Sequence, residues 1–197
     1  MKLIFRTLST LLILLIGVVL GVFVVARFHD GPLEGVFEIV AAGPFDSGEM
    51  QTGAGEPDWA FLQDYSTVEF QLLDPIRSRT TWIMEHEGRI FIPSGYMNSF
   101  LGKVWKHWPK EAEEDGRAIL RVDGKLYERQ MVRIRDEAVA TPVLSELSRK
   151  YVGGGPIPFQ QVESGDIWIF ELQPRSQPPG SNSVSYTHLT LPTILLV

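Results

Sequence analysis

Nineteen consecutive residues, 8–26 (LSTLLILLIGVVLGVFVVA), carry no charge. At helical rise such a run spans roughly 30 Å, the thickness of a bilayer's hydrocarbon, and in lipid a helix satisfies all of its own backbone polar groups. The segment is expected to be a transmembrane helix, and residues 1–27 an N-terminal membrane anchor. Lys2 and Arg6 precede it, whereas Arg27 and His29 are soon followed by Asp30, Glu34 and Glu38. That basic excess favours a cytoplasmic N-terminus and places the remainder on the periplasmic side of an inner membrane. The competing reading is a cleaved signal peptide. Its apolar core is usually about 7–15 residues, shorter than this run, and VVA before Arg27 is a poor small-residue cleavage site.

The charge of the chain sits almost wholly beyond that segment. None of the 24 Asp and Glu precedes Phe28, against Lys2, Arg6 and Arg27 among the 18 Lys and Arg, and the whole chain is already at −6. So acidic an outer part excludes DNA or another polyanion as a partner. With no cysteine in the chain, disulfides, thiolate metal sites and cysteine nucleophiles are excluded as well.

Beyond the anchor, residues 28–56 mix glycine, proline and acids around one apolar run, VFEIVAA, and read as a linker with one strand. From Trp59 onward, short runs of period-two character recur between turn residues, which predicts an antiparallel sheet or barrel. Strands are expected over 67–73, 80–87, 89–93, 117–122, 125–134 and 167–172. HEGR and VDGK place glycine at or near the position needing positive φ, so each should close a hairpin. In the second hairpin Ala118, Leu120 and Val122 share one face. Along 125–134, Leu126, Glu128, Gln130, Val132 and Ile134 oppose Tyr127, Arg129, Met131, Arg133 and Arg135, which suggests one wet and basic flank. Short helices are expected over 109–115, with proline in the first turn and Gly116 as the stop, and over 142–151, ending in VGGGP. The domain would span 57–173, followed by a Pro/Ser/Gly tail over 174–183. Residues 184–193, VSYTHLTLPT, resemble translated sequencing adapter, so 184–197 are expected to be non-native.

Two strands, a short helix and then the hairpin region WKHWPKEAEEDGRAILRVDGKLYERQMVRI give an order of elements that resembles the split β-barrel of the pyridoxamine-phosphate-oxidase-like and deazaflavin-dependent nitroreductase-like superfamily. The resemblance covers residues 66–135, with a closing strand near 166–172. DWAF, around Trp59, looks like a motif of its membrane-anchored uncharacterised subgroup. The fold implied is mainly β: an antiparallel split β-barrel with two short helices, preceded by one N-terminal transmembrane helix.

The same resemblance implies FMN or a deazaflavin as cofactor; some members of the superfamily bind haem or none. It puts Arg79, Thr80 and Thr81 (RSRTTW) against the ribityl chain or phosphate, Ser94 (FIPSG) against the cofactor from a following strand, and Lys103 and Lys106 at the phosphate clamp. A phosphate buried against a barrel needs neutralising charge and donors, which Lys, Arg and Thr supply. Trp105 is a candidate for stacking on the ring, with core filling the alternative for it and for Trp108. Cofactor sites of this superfamily often lie between two barrels, which implies a homodimer.

Glu111, Glu113, Glu114 and Asp115 crowd the helix over 109–115, so its positive end is already met by carboxylates and a ligand should sit over Lys103, Lys106 and the Arg79 strand instead. Histidines and carboxylates show no metal-ligand spacing, no GxSxG appears, and VGGGP lacks the Lys-Ser/Thr of a nucleotide loop. Two functions follow. One is a membrane-anchored flavin- or deazaflavin-binding oxidoreductase acting on a small hydrophobic acceptor such as a quinone. The other is a cofactor-free envelope binding or assembly module.

Overall fold

A computed structural model describes residues 2–33, 42–52, 55–100, 102 and 106–175. The expected adapter segment, most of the VFEIVAA run, and Lys103 and Trp105 lie outside them. Helix α1 (Lys2–Arg27) carries the apolar run. Its stretch Ile4–Arg27 is long and apolar enough to cross a membrane; Ala26, at its end, is buried and accepts from Gly43 N at 2.8 Å.

The remainder is built on one sheet of β1 (Glu49–Met50), β2 (Thr67–Leu73), β3 (Ile76–Trp82), β4 (Met84–His86), β5 (Arg89–Ser94), β6 (Arg117–Val122), β7 (Lys125–Ile134) and β8 (Trp168–Pro174). The strand order is β3-β2-β6-β7-β8-β5-β4, antiparallel throughout, with β1 joined in parallel to the start of β7. β7 is the staggered centre. Its residues 125–130 pair with β6 and its residues 129–134 with β8. An offset of this kind tilts neighbouring strands and curls a sheet. The two edges, β3 and β4, are consecutive in the chain and separated only by Ile83, which is fully buried. The sheet is therefore a curled antiparallel half-barrel.

Both expected hairpin turns are present. Glu87 and Gly88 (φ 52° and 75°), and Asp123 and Gly124 (φ 49° and 72°), hold the paired positive φ of a two-residue turn between twisted strands. β3 begins four residues before the expected start at residue 80, because Ile76, Arg77, Ser78 and Arg79 complete an unbroken ladder with β2.

Side chains fill the sheet's two faces in two separate cores. Inside the curl, Phe70, Leu72, Ile90, Ile92, Leu120, Met131, Phe170 and Leu172 pack with Trp59, which is 1 % exposed and fills the core as a plug. Outside, Met84, Phe91, Ile134 and Ile169 meet Ala140, Val143, Leu144 and Leu147 of α3 (Glu137–Leu147) together with Val162 of α4 (Gln160–Glu163). Covered on both faces, β5 is buried from Ile90 to Ser94 and reads as a continuous apolar run rather than an alternating one. Helix α2 (Trp108–Glu114) caps the inner core. Its Trp108 ring meets Phe70 at 5.1 Å and Phe170 at 5.6 Å, bridging the β2 and β8 sides.

Two expectations are corrected. The second helix begins at Glu137 and not at residue 142, because the Asp136 side chain accepts from Ala138 N and caps it, and Pro142 is carried inside. The flank of β7 expected to be wet and basic turns inward. Tyr127, Arg129 and Met131 share a face with Leu120 and Leu172, and Arg129 is 2 % exposed. Burial is possible because the charge is paired and its carbon stem and planar head are packed. Nη1 donates to Glu56 Oε1 at 2.7 Å, and the guanidinium lies against Trp59 (4.8 Å) and Tyr127 (5.5 Å).

Candidate functional site

Arg79 stands on β3 directly across from Phe70, a fully buried inner-core residue, so its side chain enters the curl. Thr81 shares that face by the two-residue period of a strand. The Arg79 side chain is 17 % exposed, and its nearest acid is Glu111 of α2, with Nη2 and Oε2 4.0 Å apart. That is beyond hydrogen-bond reach, and both Arg79 Nε and Glu111 Oε2 are buried without a hydrogen-bond partner among the described residues. Burial, with Arg77 adding repulsion, outweighs the attraction of Glu111 and pulls the guanidinium down to about 10. A buried donor left unmade costs about 1–3 kcal/mol, so this cation is poorly provided for.

Thr80 points the other way. It lines a cleft of about 510 Å³ on the outer face with Glu69, Arg121, Asp30, Tyr65 and Asp123. There Arg121 is bound by Glu69 (2.5 Å) and Asp30 (2.8 Å), and the acids outnumber the one cation. That cleft repels a phosphate. The expected trio of Arg79, Thr80 and Thr81 is thus divided, with Arg79 and Thr81 on one face of the sheet and Thr80 on the other.

Ser94 ends β5 opposite Trp168 of β8 and is 2 % exposed. Its hydroxyl donates to the weak acceptor Met97 Sδ at 3.3 Å. Next to it, the Lys106 ammonium donates to the Gly95 carbonyl at 2.8 Å and lies 6.0 Å from the Tyr96 ring centre. Burial lowers the Lys106 pKa, and the Asp166 carboxylate opposes that shift. Ser94 and Lys106 therefore meet around the 94–96 turn, while Arg79 faces Glu111 of α2.

The structure adds residues to this end of the barrel that the sequence left aside. Arg133 of β7 lies over the Trp168 ring at 3.4 Å and donates to Glu113 of α2 at 2.9 Å, and Arg135 reaches the same carboxylate oxygen at 2.5 Å. Arg133 Nε is buried without a hydrogen-bond partner among the described residues. The available signal was parity: Arg133 is two residues from Met131, an apolar side chain on the same face.

An anionic cofactor fits part of this arrangement. Arg79 offers an unmade Nε–H, Lys106 an ammonium, and Ser94 and Thr81 hydroxyls, while Trp168 supplies an aromatic surface. Against it stand Glu111 and Glu113, which already face Arg79 and Arg133. Among the described residues no cluster of three or more His, Cys, Asp or Glu could hold a metal ion.

The chain is thus a curled antiparallel half-barrel with arginines turned into its curl and an apolar N-terminal helix. Two solved structures show partial similarity to the chain. One is a candidate pyridoxamine 5'-phosphate oxidase from Listeria innocua, at 13% identity over 59% of this chain and 90% of that one, with a TM-score of 0.40. Another is a conserved hypothetical protein from Mycobacterium tuberculosis, at 11% identity over 65% of this chain and 86% of that one, with a TM-score of 0.42. No family model matches the chain, and no curated protein matches it.

Proposed function

We propose that the protein is anchored in the inner membrane by α1, carries its half-barrel on the periplasmic side, and binds a flavin-class redox cofactor, FMN or a deazaflavin, to reduce a small hydrophobic acceptor such as a quinone. The observation that carries this reading is Arg79, a largely buried guanidinium aimed into the barrel with one donor unmade and its nearest carboxylate 4.0 Å away. In this reading Arg79 and Lys106, with Lys103, hold the phosphate. Thr81 and Ser94 hydrogen-bond the polar chain, and Trp105 or Trp168 covers the ring. Thr80 takes no part. The cofactor supplies the electron chemistry, and the protein supplies position, charge and exclusion of water. The bilayer beside the anchor motivates the choice of acceptor, and a homodimer sharing the site between two barrels belongs to the same reading.

A second reading has its own support. Glu113 pairs with Arg133 and Arg135, and Glu111 faces Arg79, so carboxylates already answer these arginines, as a cofactor-free envelope module requires. The test is the visible spectrum of the full chain in detergent after incubation with FMN, a deazaflavin or haem and removal of unbound ligand. A yellow chromophore is expected to stay with the protein at micromolar concentration, and to be lost when Arg79→Met and Lys106→Ala are combined. Retention of haem alone, or of none of the three, overturns the flavin reading, and retention of none selects the module.

A further inference from the structure

Two carboxylates of α2 face inward-pointing arginines, and they are held differently. Glu113 Oε1 closes on Arg133 at 2.9 Å and Arg135 at 2.5 Å. Glu111 stands off from Arg79 at 4.0 Å, with Glu111 Oε2 and Arg79 Nε both buried and unbonded among the described residues. The two ends of this loose pair also differ in freedom. Arg79 is fixed in the middle of a strand laddered to β2. Glu111 lies on a seven-residue helix pinned by Trp108, Pro109 and Ala112, and its side chain is 26 % exposed, so it has a path to water.

We propose that Glu111 is a resident counter-ion: it occupies the charge position opposite Arg79 until the phosphate of an incoming ligand takes that position and the Glu111 carboxylate moves out to solvent. Three observations support the exchange. The pair is too long to be a hydrogen bond, so little is broken when it opens. A phosphate oxygen can accept from Arg79 Nε, which Glu111 does not reach. Glu111 retains an aqueous side on which to be solvated after leaving. The consequence is selectivity, since a ligand with the same ring and no phosphate cannot displace the carboxylate and must bind alongside it. The identity of the ligand rests on the flavin reading above, whereas the exchange itself requires only a phosphate.

The test compares the full chain with Glu111→Gln and Glu111→Asp. FMN and riboflavin are titrated by flavin fluorescence, and inorganic phosphate by the ¹⁵N resonance of Arg79 Nε. Glu111→Gln is expected to tighten FMN by about tenfold, to leave riboflavin unchanged, and to move the Arg79 resonance at a lower phosphate concentration than in the parent. Unchanged or weaker FMN binding by a folded Glu111→Gln protein overturns the exchange. If neither protein binds FMN, riboflavin or a deazaflavin, the flavin reading fails, and phosphate alone decides: a lower half-saturation in the variant upholds the counter-ion role, and equal half-saturation, or no response in either protein, ends it. Should Glu111→Gln not fold, Glu111→Asp, which withdraws the carboxylate by one methylene, carries the same comparison with the same two outcomes.

Discussion

Arg129 and Glu56 share an ion pair but not an environment, with side chains 2 % and 45 % exposed. Removing the acid strands a buried cation and also takes the acceptor from Trp59 Nε1, bonded to Glu56 at 2.8 Å. Replacing the arginine by an apolar chain of similar length returns Glu56 to water. Glu56→Ala is therefore expected to destabilise by about 3 kcal/mol and Arg129→Met by only about 1 kcal/mol in denaturant unfolding; the reverse order would contradict this account of the pair. Gly31 is constrained from two sides. Its φ is +77°, and a Cβ there would lie 1.9 Å from Arg121 Nη2, whose guanidinium is already held by Glu69 and Asp30. Gly31→Ala should lose about 1–2 kcal/mol from the backbone alone, with displacement of Arg121 adding to it. Gly155→Ala, with nothing within 4 Å of the added carbon, serves as the neutral control in the same thermal melts.

The bend at Ile83 makes two edge strands from one stretch of chain, and it is held from outside. Tyr151, just beyond α3, accepts from Ile83 N at 3.0 Å, donates toward Ile83 O at 2.8 Å, and stacks on Trp82 with ring centres 4.5 Å apart. Lys150 donates to Ile83 O and Leu62 O beside it. Tyr151→Phe keeps the stack and removes the hydroxyl, so a loss of about 1–2 kcal/mol is expected, with faster amide exchange at Ile83; exchange unchanged there would show that the bend holds without it. Elements such as these were unevenly legible in the sequence. Alternation with EG and DG turns marked both hairpins, since those signals are local. What escaped was set by tertiary packing. Arg129 and Arg133 looked solvated because charge was weighed above their parity with Met131, and parity follows from the pleat whatever the residue. Arg79, Thr80 and Thr81 are grouped by the resemblance, and the pleat divides them, because neighbours on a strand face opposite ways.

At the scale of the molecule, Asp30 ties the chain leaving α1 to the barrel. It accepts from Asp46 N at 2.8 Å and from Ser47, and pairs with Arg121 of β6. Burial acts to raise its pKa, but the hydrogen bonds from Ser47 and Asp46 and the charge of Arg121 prevail, holding it at about 2 against an ordinary 3.8. A depressed folded-state value means the tie contributes fully above about pH 4 and is lost as pH falls toward 2. Thermal midpoints of the parent and Asp30→Asn should therefore differ near neutrality and converge at about pH 2, whereas a constant gap would assign the effect to packing instead. The whole chain carries a net charge of −6, and the proposed function depends on Arg79, turned into the curl, selecting a phosphate. The most direct test is the ratio of riboflavin to FMN dissociation constants for the full chain. A ratio of at least about ten is expected, falling to about one in Arg79→Met; equal affinities in the parent, or retention of neither flavin and of no deazaflavin, would contradict the phosphate-selecting role of Arg79.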